Sequence, residues 1–353
     1  MTRDETAVSN MLQDPITSKA DAQAQSVDAP TKQVRRFIKK HTPAYALPAL
    51  TVVIAIFFSV WGKTSATFLT TANLQVLLGT QTVIAVVALG ALIPLIANEW
   101  DLSVGACAGL ATVTTAQLMS HGMNAILALM IGLLIGAAVG AINAAIVTRA
   151  RVNAVIATLG MATILDGVVN QRTGGVSISS NIPLGLTNFG TGTWLGIPRT
   201  VYAVAVIAIA VHYVLNYTPF GRYLYALGSN PEAARLVGVR TKVIVAGAFL
   251  LAGTLAAAGG FLEVARAGGA TPSVGDTFTL PALAAAFLSA ASIKPGKANV
   301  GGTIVALVFL GVLNSGLNLA GAAAYISNYV NGAALISGIA LAGWLARRQG
   351  AEA

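Results

Sequence analysis

Ten long apolar blocks, separated by short polar connectors, leave this chain little choice of solvent. They fall at about 44–62, 73–97, 102–119, 124–147, 153–171, 200–217, 243–265, 278–293, 300–319 and 327–345. Most approach the length at which a helix crosses a hydrocarbon layer about 30 Å thick. Lipid offers backbone amides no hydrogen-bond partners, so each block is expected to be helical, and the ten-residue alternation of a membrane barrel is absent. Only 9% of the 353 residues are charged and 56% are hydrophobic, too little polar material to coat a water-facing surface. The block at 278–293 is short and contains Pro281, which makes it the weakest of the ten.

Orientation follows from the cations, because cytoplasmic connectors collect Lys and Arg. If the N-terminus is cytoplasmic and every block crosses, the inside receives seventeen Lys and Arg residues. The outside receives four: Lys63, Arg172, Arg199 and Arg266. Both termini are therefore expected inside. The net charge of +9 then reflects connectors facing anionic headgroups, and nucleic acid is not needed to explain it. Residues 1–40 read as a disordered cytoplasmic tail with a basic end, rich in Ala, Asp, Gln, Ser and Thr. No apolar stretch begins early enough for a cleaved secretory peptide. Residues 41–348 read as the membrane domain.

Conventional chemistry finds little here. Cys107 is the single cysteine and lies inside an apolar block, while His41, His121 and His212 are scattered, so no metal or cofactor site and no catalytic group is expected. Gly62-Lys63-Thr64 lacks the upstream glycine of a phosphate loop, and Gly296-Lys297-Ala298 lacks its hydroxyl. Asp166, Glu263 and Asp276 are too scattered for a proton relay.

Packing signals are clearer. Gly132, Gly136 and Gly140, and likewise Gly105 and Gly109, form small-residue stripes that let helices approach closely. Gly140-Ala141-Ile142-Asn143 resembles Gly311-Val312-Leu313-Asn314 in a span of opposite direction, as inverted repeats require. The fold expected is thus all-α, about ten transmembrane helices in two inverted five-helix halves. Asp101 and Ser103 read as a helix-cap motif for the third span; the competing reading places the Asp101 charge on a pathway. The connector 218–242 contains a short helix with definite ends. Asn230 caps it after Ser229, Pro231 and Glu232 suit its first turn, Ala234 and Arg235 follow, and Gly238 stops it. Such an element on the cytoplasmic side is suited to docking.

Several segments, in order, carry a family resemblance. They are Asp101-Leu102-Ser103-Val104-Gly105, the run from Asn153 to Met161, Thr173-Gly174-Gly175, Gly228-Ser229-Asn230 with Ala233-Ala234-Arg235, and the run from Gly311 to Asn318. Over about 73–345 the chain resembles permease subunits of bacterial ribose-, xylose- and galactoside-type ABC importers, within the branched-chain permease group. The resemblance implies import of a monosaccharide by alternating access across the bacterial inner membrane. It also implies a second permease copy, cytoplasmic ATPase subunits that hydrolyse ATP, an extracytoplasmic sugar-binding protein, and a coupling role for the Asn230–Gly238 helix. Sparse polar groups should line the path, with Gln171, Asn314 and Asn318 as candidates. The chain departs from the family at Ser289-Ala290-Ala291-Ser292 and at Asp166, positions that bear on which solute is carried. A branched-chain amino-acid or nucleoside permease is the near alternative, and an ion-coupled secondary transporter the distant one.

Overall fold

The computed structural model describes residues 29–351; residues 1–28 of the expected tail lie outside the described part. Thirteen helices follow in order: α1 Ala29–Val60, α2 Thr71–Ile96, α3 Val104–Ser120, α4 Ala125–Thr148, α5 Ala154–Thr173, α6 Leu184–Thr191, α7 Arg199–Tyr217, α8 Pro219–Ser229, α9 Pro231–Leu236, α10 Thr241–Ala267, α11 Val274–Leu288, α12 Val300–Leu319 and α13 Tyr325–Ala351. Every apolar block coincides with a helix to within a few residues, apart from the longer polar ends of α1 and α13. Seven (α2, α4, α5, α7, α10, α11 with its 3-10 extension to Ala291, and α12) are long and apolar enough to cross a membrane. The apolar part of α1, Ala44–Val60, and α3 are shorter. Besides the connector helices α8 and α9, two elements had no apolar block to announce them: α6, and a ribbon in which β1 (Thr193–Trp194) pairs antiparallel with β2 (Ile197–Pro198).

Glycine sets the packing. A Cβ on Gly136 would strike the Gly253 carbonyl, and one on Gly140 the Phe249 carbonyl, so α4 and α10 touch backbone to backbone. A Cβ on Gly132 would lie 2.7 Å from Thr115 Cγ2. These stripes hold helices together where lipid supplies no hydrophobic drive. α10 sits at the centre of the bundle, against α2, α3 and α4.

The contacts also fix depth. α4 and α10 run antiparallel, with Gly136 on Gly253 and Gly140 on Phe249, which brings the end of α4 beside the start of α10. The thiol of Cys107 lies 3.6 Å from the Gly253 carbonyl and Thr112 Oγ1 3.1 Å from that of Gly260. α3 therefore runs parallel to α10 and begins abreast of Phe249, about 12 Å beyond the α10 start. Helix α11 enters from the other side. A Cβ on Gly109 would stand 2.9 Å from Gly275 Cα, and one on Gly105 would strike Gly275 and Thr279. α11 thus begins near the middle of α10. Both α3 and α11 are partial spans whose first turns overlap at mid-depth, and both open with Ser-Val-Gly, at 103–105 and 273–275. α3 and α11 cross antiparallel here, and the similar segments Gly140–Asn143 and Gly311–Asn314 lie on the helices that follow each of them.

The chain leading into each partial span is non-helical, and its polar backbone must be met inside the protein. Before α3, Thr158 Oγ1 accepts from the Leu102 amide at 3.0 Å and donates to the Trp100 carbonyl at 3.2 Å. Before α11, Ile178 and Ala270 exchange two backbone hydrogen bonds of 2.8 Å.

Candidate functional site: a polar membrane wall and its connector helix

α5, α3, α11 and α13 stand side by side, each packed on the next. α3, in the middle, is buried along almost its whole length. Its neighbours are not. α5 exposes Thr163, Asn170 and Gln171, α11 exposes Asp276 and Thr277 in its first turn, and α13 exposes Asn328. Asp276 and Thr277 lie near mid-depth by the register above. Polar side chains are costly against lipid at that depth, so this wall faces water or another protein surface.

The Asp101 motif is built differently from the sequence expectation. Ser103 is the N-cap residue of α3, with helical backbone angles and no side-chain capping bond. Asp101 Oδ1 instead accepts from the Ser103 amide at 2.9 Å and from its hydroxyl at 2.6 Å. Asn143 Nδ2 then donates to Ser103 Oγ at 2.8 Å. The carboxylate therefore holds the cap residue in place and does not bond the first-turn amides itself. Asp101 is 2% exposed and Asn143 fully buried, so the network ties α4 to the start of α3.

The proposed path residues do not converge. Gln171 lies exposed in the last turn of α5, on the wall. Asn314 and Asn318 belong to α12, which packs on α1, α2, α11 and α13. Asn314 Oδ1 is enclosed without a partner, as is Asn143 Oδ1 at the matching position of the other half. Of the remaining acids, Glu263 makes two hydrogen bonds to Arg266, at 2.9 and 3.0 Å, and is a paired structural group. Sequence reasoning left Asp276 and Thr277 out of the path because nothing in their composition marks the depth at which α11 begins.

At the bundle end formed by residues 96–99, 149–153 and 292–299 lies the connector between α7 and α10. Thr218 caps α8 through the Gly221 amide. Leu224 and Leu227 turn inward. The Tyr225 hydroxyl donates to the Ala298 carbonyl at 2.9 Å, and burial pushes its pKa up to about 12, which keeps it a neutral donor. Asn98 Nδ2 donates to the Gly228 carbonyl at 2.7 Å. Asn230 Oδ1 accepts from the Ala233 amide at 3.0 Å and starts α9; Gly238, at φ +83°, ends it. Glu232 and Arg235 pair at 3.1 Å on the exposed side, where such a pair adds little stability.

One expectation needs correction. A docking role for the Asn230–Gly238 helix as a whole would count Ala234 in its contact face, but Ala234 is only 3% exposed and faces the body. A helix of six residues has too little periodicity to show its inner face in sequence. Leu236 and Val237, at 89% and 79% exposed, form the apolar outer end of this element.

Residues 73–338 match the family described as the permease component of branched-chain amino acid transport systems. The chain belongs to this permease family. The ribose import permease of Escherichia coli K12 is 36% identical over 298 residues, 82% of this chain and 90% of that relative. The ribose import permease of Bacillus subtilis is 30% identical, covering 86% of this chain and 92% of the relative. The D-allose transport system permease of Escherichia coli K12 is 30% identical over 82% and 89%. No solved structure matches the chain. The permease is thus a multi-pass membrane protein, and its partial spans and polar wall are features of a transport subunit.

Proposed function

We propose that this permease carries a monosaccharide across the bacterial inner membrane, delivered by an extracytoplasmic binding protein and driven by separate ATPase subunits. The reading rests on one observation above others. The α7–α10 connector presents a capped helix ending in exposed Leu236 and Val237, while its opposite side is anchored to the body. An apolar tip on a fixed mount is what a cytoplasmic motor subunit can grip. The ribose and allose relatives favour a sugar as the solute.

In this reading ten segments cross the membrane, built on α1–α5, α7 and α10–α13, with the non-helical leads into α3 and α11 completing those two crossings. They form two inverted halves of five, with both termini cytoplasmic and residues 1–40 a tail on a 41–348 membrane domain. The walls of two copies face each other across the path. Asp276 and Thr277 line its middle and Gln171 its outer end, in place of Asn314 and Asn318. Partial spans that overlap at a glycine crossing supply a pivot for alternating access.

The test is a reconstituted complex. Leu236→Asp with Val237→Asp should leave insertion intact, abolish co-purification with the ATPase and remove ATP-dependent uptake of ribose or allose. Uptake that persists with the ATPase inactivated would overturn the reading. Uptake that is ATP-dependent but confined to branched-chain amino acids would replace the sugar and keep the motor.

A further inference from the structure

The ribbon β1–β2 carries a feature the transport reading does not use. Its turn is Leu195-Gly196, with φ of +52° and +81°. A two-residue turn with both central residues at positive φ is normally Asn-Gly or Asp-Gly. Leucine is rarely held in this region, and an outlier of this kind is a reason to look for function. Leu195 is also 98% exposed, with Trp194 at 54% and Ile197 at 38% beside it. The turn therefore puts a large apolar side chain outward in a conformation that a smaller polar residue would adopt more readily.

The hairpin is rigidly held. Gln75 Nε2 donates to the Gly196 carbonyl at 3.0 Å, and the Tyr202 hydroxyl donates to the Trp194 carbonyl at 3.1 Å. The Trp194 and Tyr202 rings lie 5.8 Å apart. The Arg199 guanidinium stands 5.4 Å from the Trp194 ring centre. Its position is equally informative. It sits at the bundle end opposite the α8–α9 connector and leads directly into α7, the least buried of the seven long helices. That helix turns Val206, Ile209 and Tyr213 outward. The hairpin is therefore on the lipid-facing perimeter. At the same end, Lys63 Nζ lies 5.9 Å from the Trp61 ring centre. Trp and Tyr with nearby cations are the composition of a membrane–water interface, where rings sit among headgroups and cations meet phosphates.

We propose that the Thr193–Pro198 hairpin is a lipid anchor: Leu195 inserts at the boundary between headgroups and acyl chains, with Trp194 and Arg199 held at headgroup depth. The hairpin fixes the height and rotation of α7 in the bilayer. Leu195 is flanked in the hairpin by the exposed side chains of Trp194 and Ile197, so the tip is apolar, while the polar groups of Arg199 and Tyr202 lie behind it at the start of α7.

The test uses the full chain in liposomes of phosphatidylethanolamine and phosphatidylglycerol, with Cys107→Ala as background. A nitroxide on Leu195→Cys should show an oxygen-to-nickel-chelate accessibility ratio several-fold above one on Ser180→Cys, an exposed loop position at the same end. As a check free of labels, Trp194 should be quenched by lipids brominated near the headgroup when Trp61, Trp100 and Trp344 are replaced by Phe. An accessibility ratio at 195 equal to that at 180, with no bromine quenching, overturns the proposal. So does shielding that appears only when the binding protein is added, or only above the concentration at which the permease dimerises. None of these outcomes alters transport measured in the same liposomes, so the anchor and the importer reading fail separately.

Discussion

The two partial spans begin with the same three residues and end up in opposite circumstances. Ahead of α3, Asp101 and Ser103 are sealed in the interior and bonded to Asn143. Ahead of α11, Thr271 and Ser273 are exposed, and Asp276 and Thr277 follow them on the open wall. The same Ser-Val-Gly start thus forms a locked anchor at α3 and an open surface at α11. An acid at the first start is structural because its Oδ1 accepts two hydrogen bonds and the residue is buried. An acid at the second is available because neither condition holds.

This contrast can be broken by substitution, and the crossing between the two starts should give the largest effect. Gly105→Ala places a methyl against Gly275 and Thr279, with the Thr279 amide at 2.8 Å, and should cost about 3 kcal/mol. Unfolding of the purified protein in detergent measures it; an unchanged midpoint would mean the starts do not touch. Next comes Asp101→Leu, which leaves the Ser103 amide and hydroxyl buried without their acceptor and should cost about 2 kcal/mol. Asp101→Asn keeps an oxygen for Ser103 and should cost less than half of that while preserving transport.

Tyr225→Phe removes the bond to the Ala298 carbonyl and should cost about 1 kcal/mol, read from the same unfolding curves. The smallest stability effect belongs to the open half. Asp276→Asn should stay within about 0.5 kcal/mol, yet change uptake rate or solute preference. A large loss of stability there would make Asp276 a second anchor and erase the contrast. Gly160→Ala, with nothing within 4 Å, should likewise be silent in a monomer; a penalty only in the assembled state would place α5 against a second copy.

Much of this architecture was legible in the sequence, and for identifiable reasons. Helix positions followed from apolar blocks because the requirement for internal backbone bonding is absolute in lipid. The glycine stripes announced the α4–α10 contact because only glycine permits such approach. Asn230, Pro231 and Gly238 marked α9 because capping is local chemistry. Depth was not legible. That α3 and α11 start part-way along α10 depends on packing, which no local pattern encodes. For the same reason Gln171, Asn314 and Asn318 were taken together from residue type, although Gln171 lies on α5 and the two asparagines on α12. The ribbon escaped notice because its turn carries leucine where asparagine would have signalled a hairpin.

The seat of α8 has a mechanical consequence. A Cβ at Gly228 would strike the Ile96 carbonyl, and the Gly228 carbonyl is itself held by Asn98. The two main chains touch directly here, and the side chain of Asn98 is itself tied to the Gly228 carbonyl, so the joint has little compliance. A push on the connector arrives, undamped, three residues before Asp101. The stiffness of the machine is concentrated where a single missing methyl group lets two stretches of main chain meet.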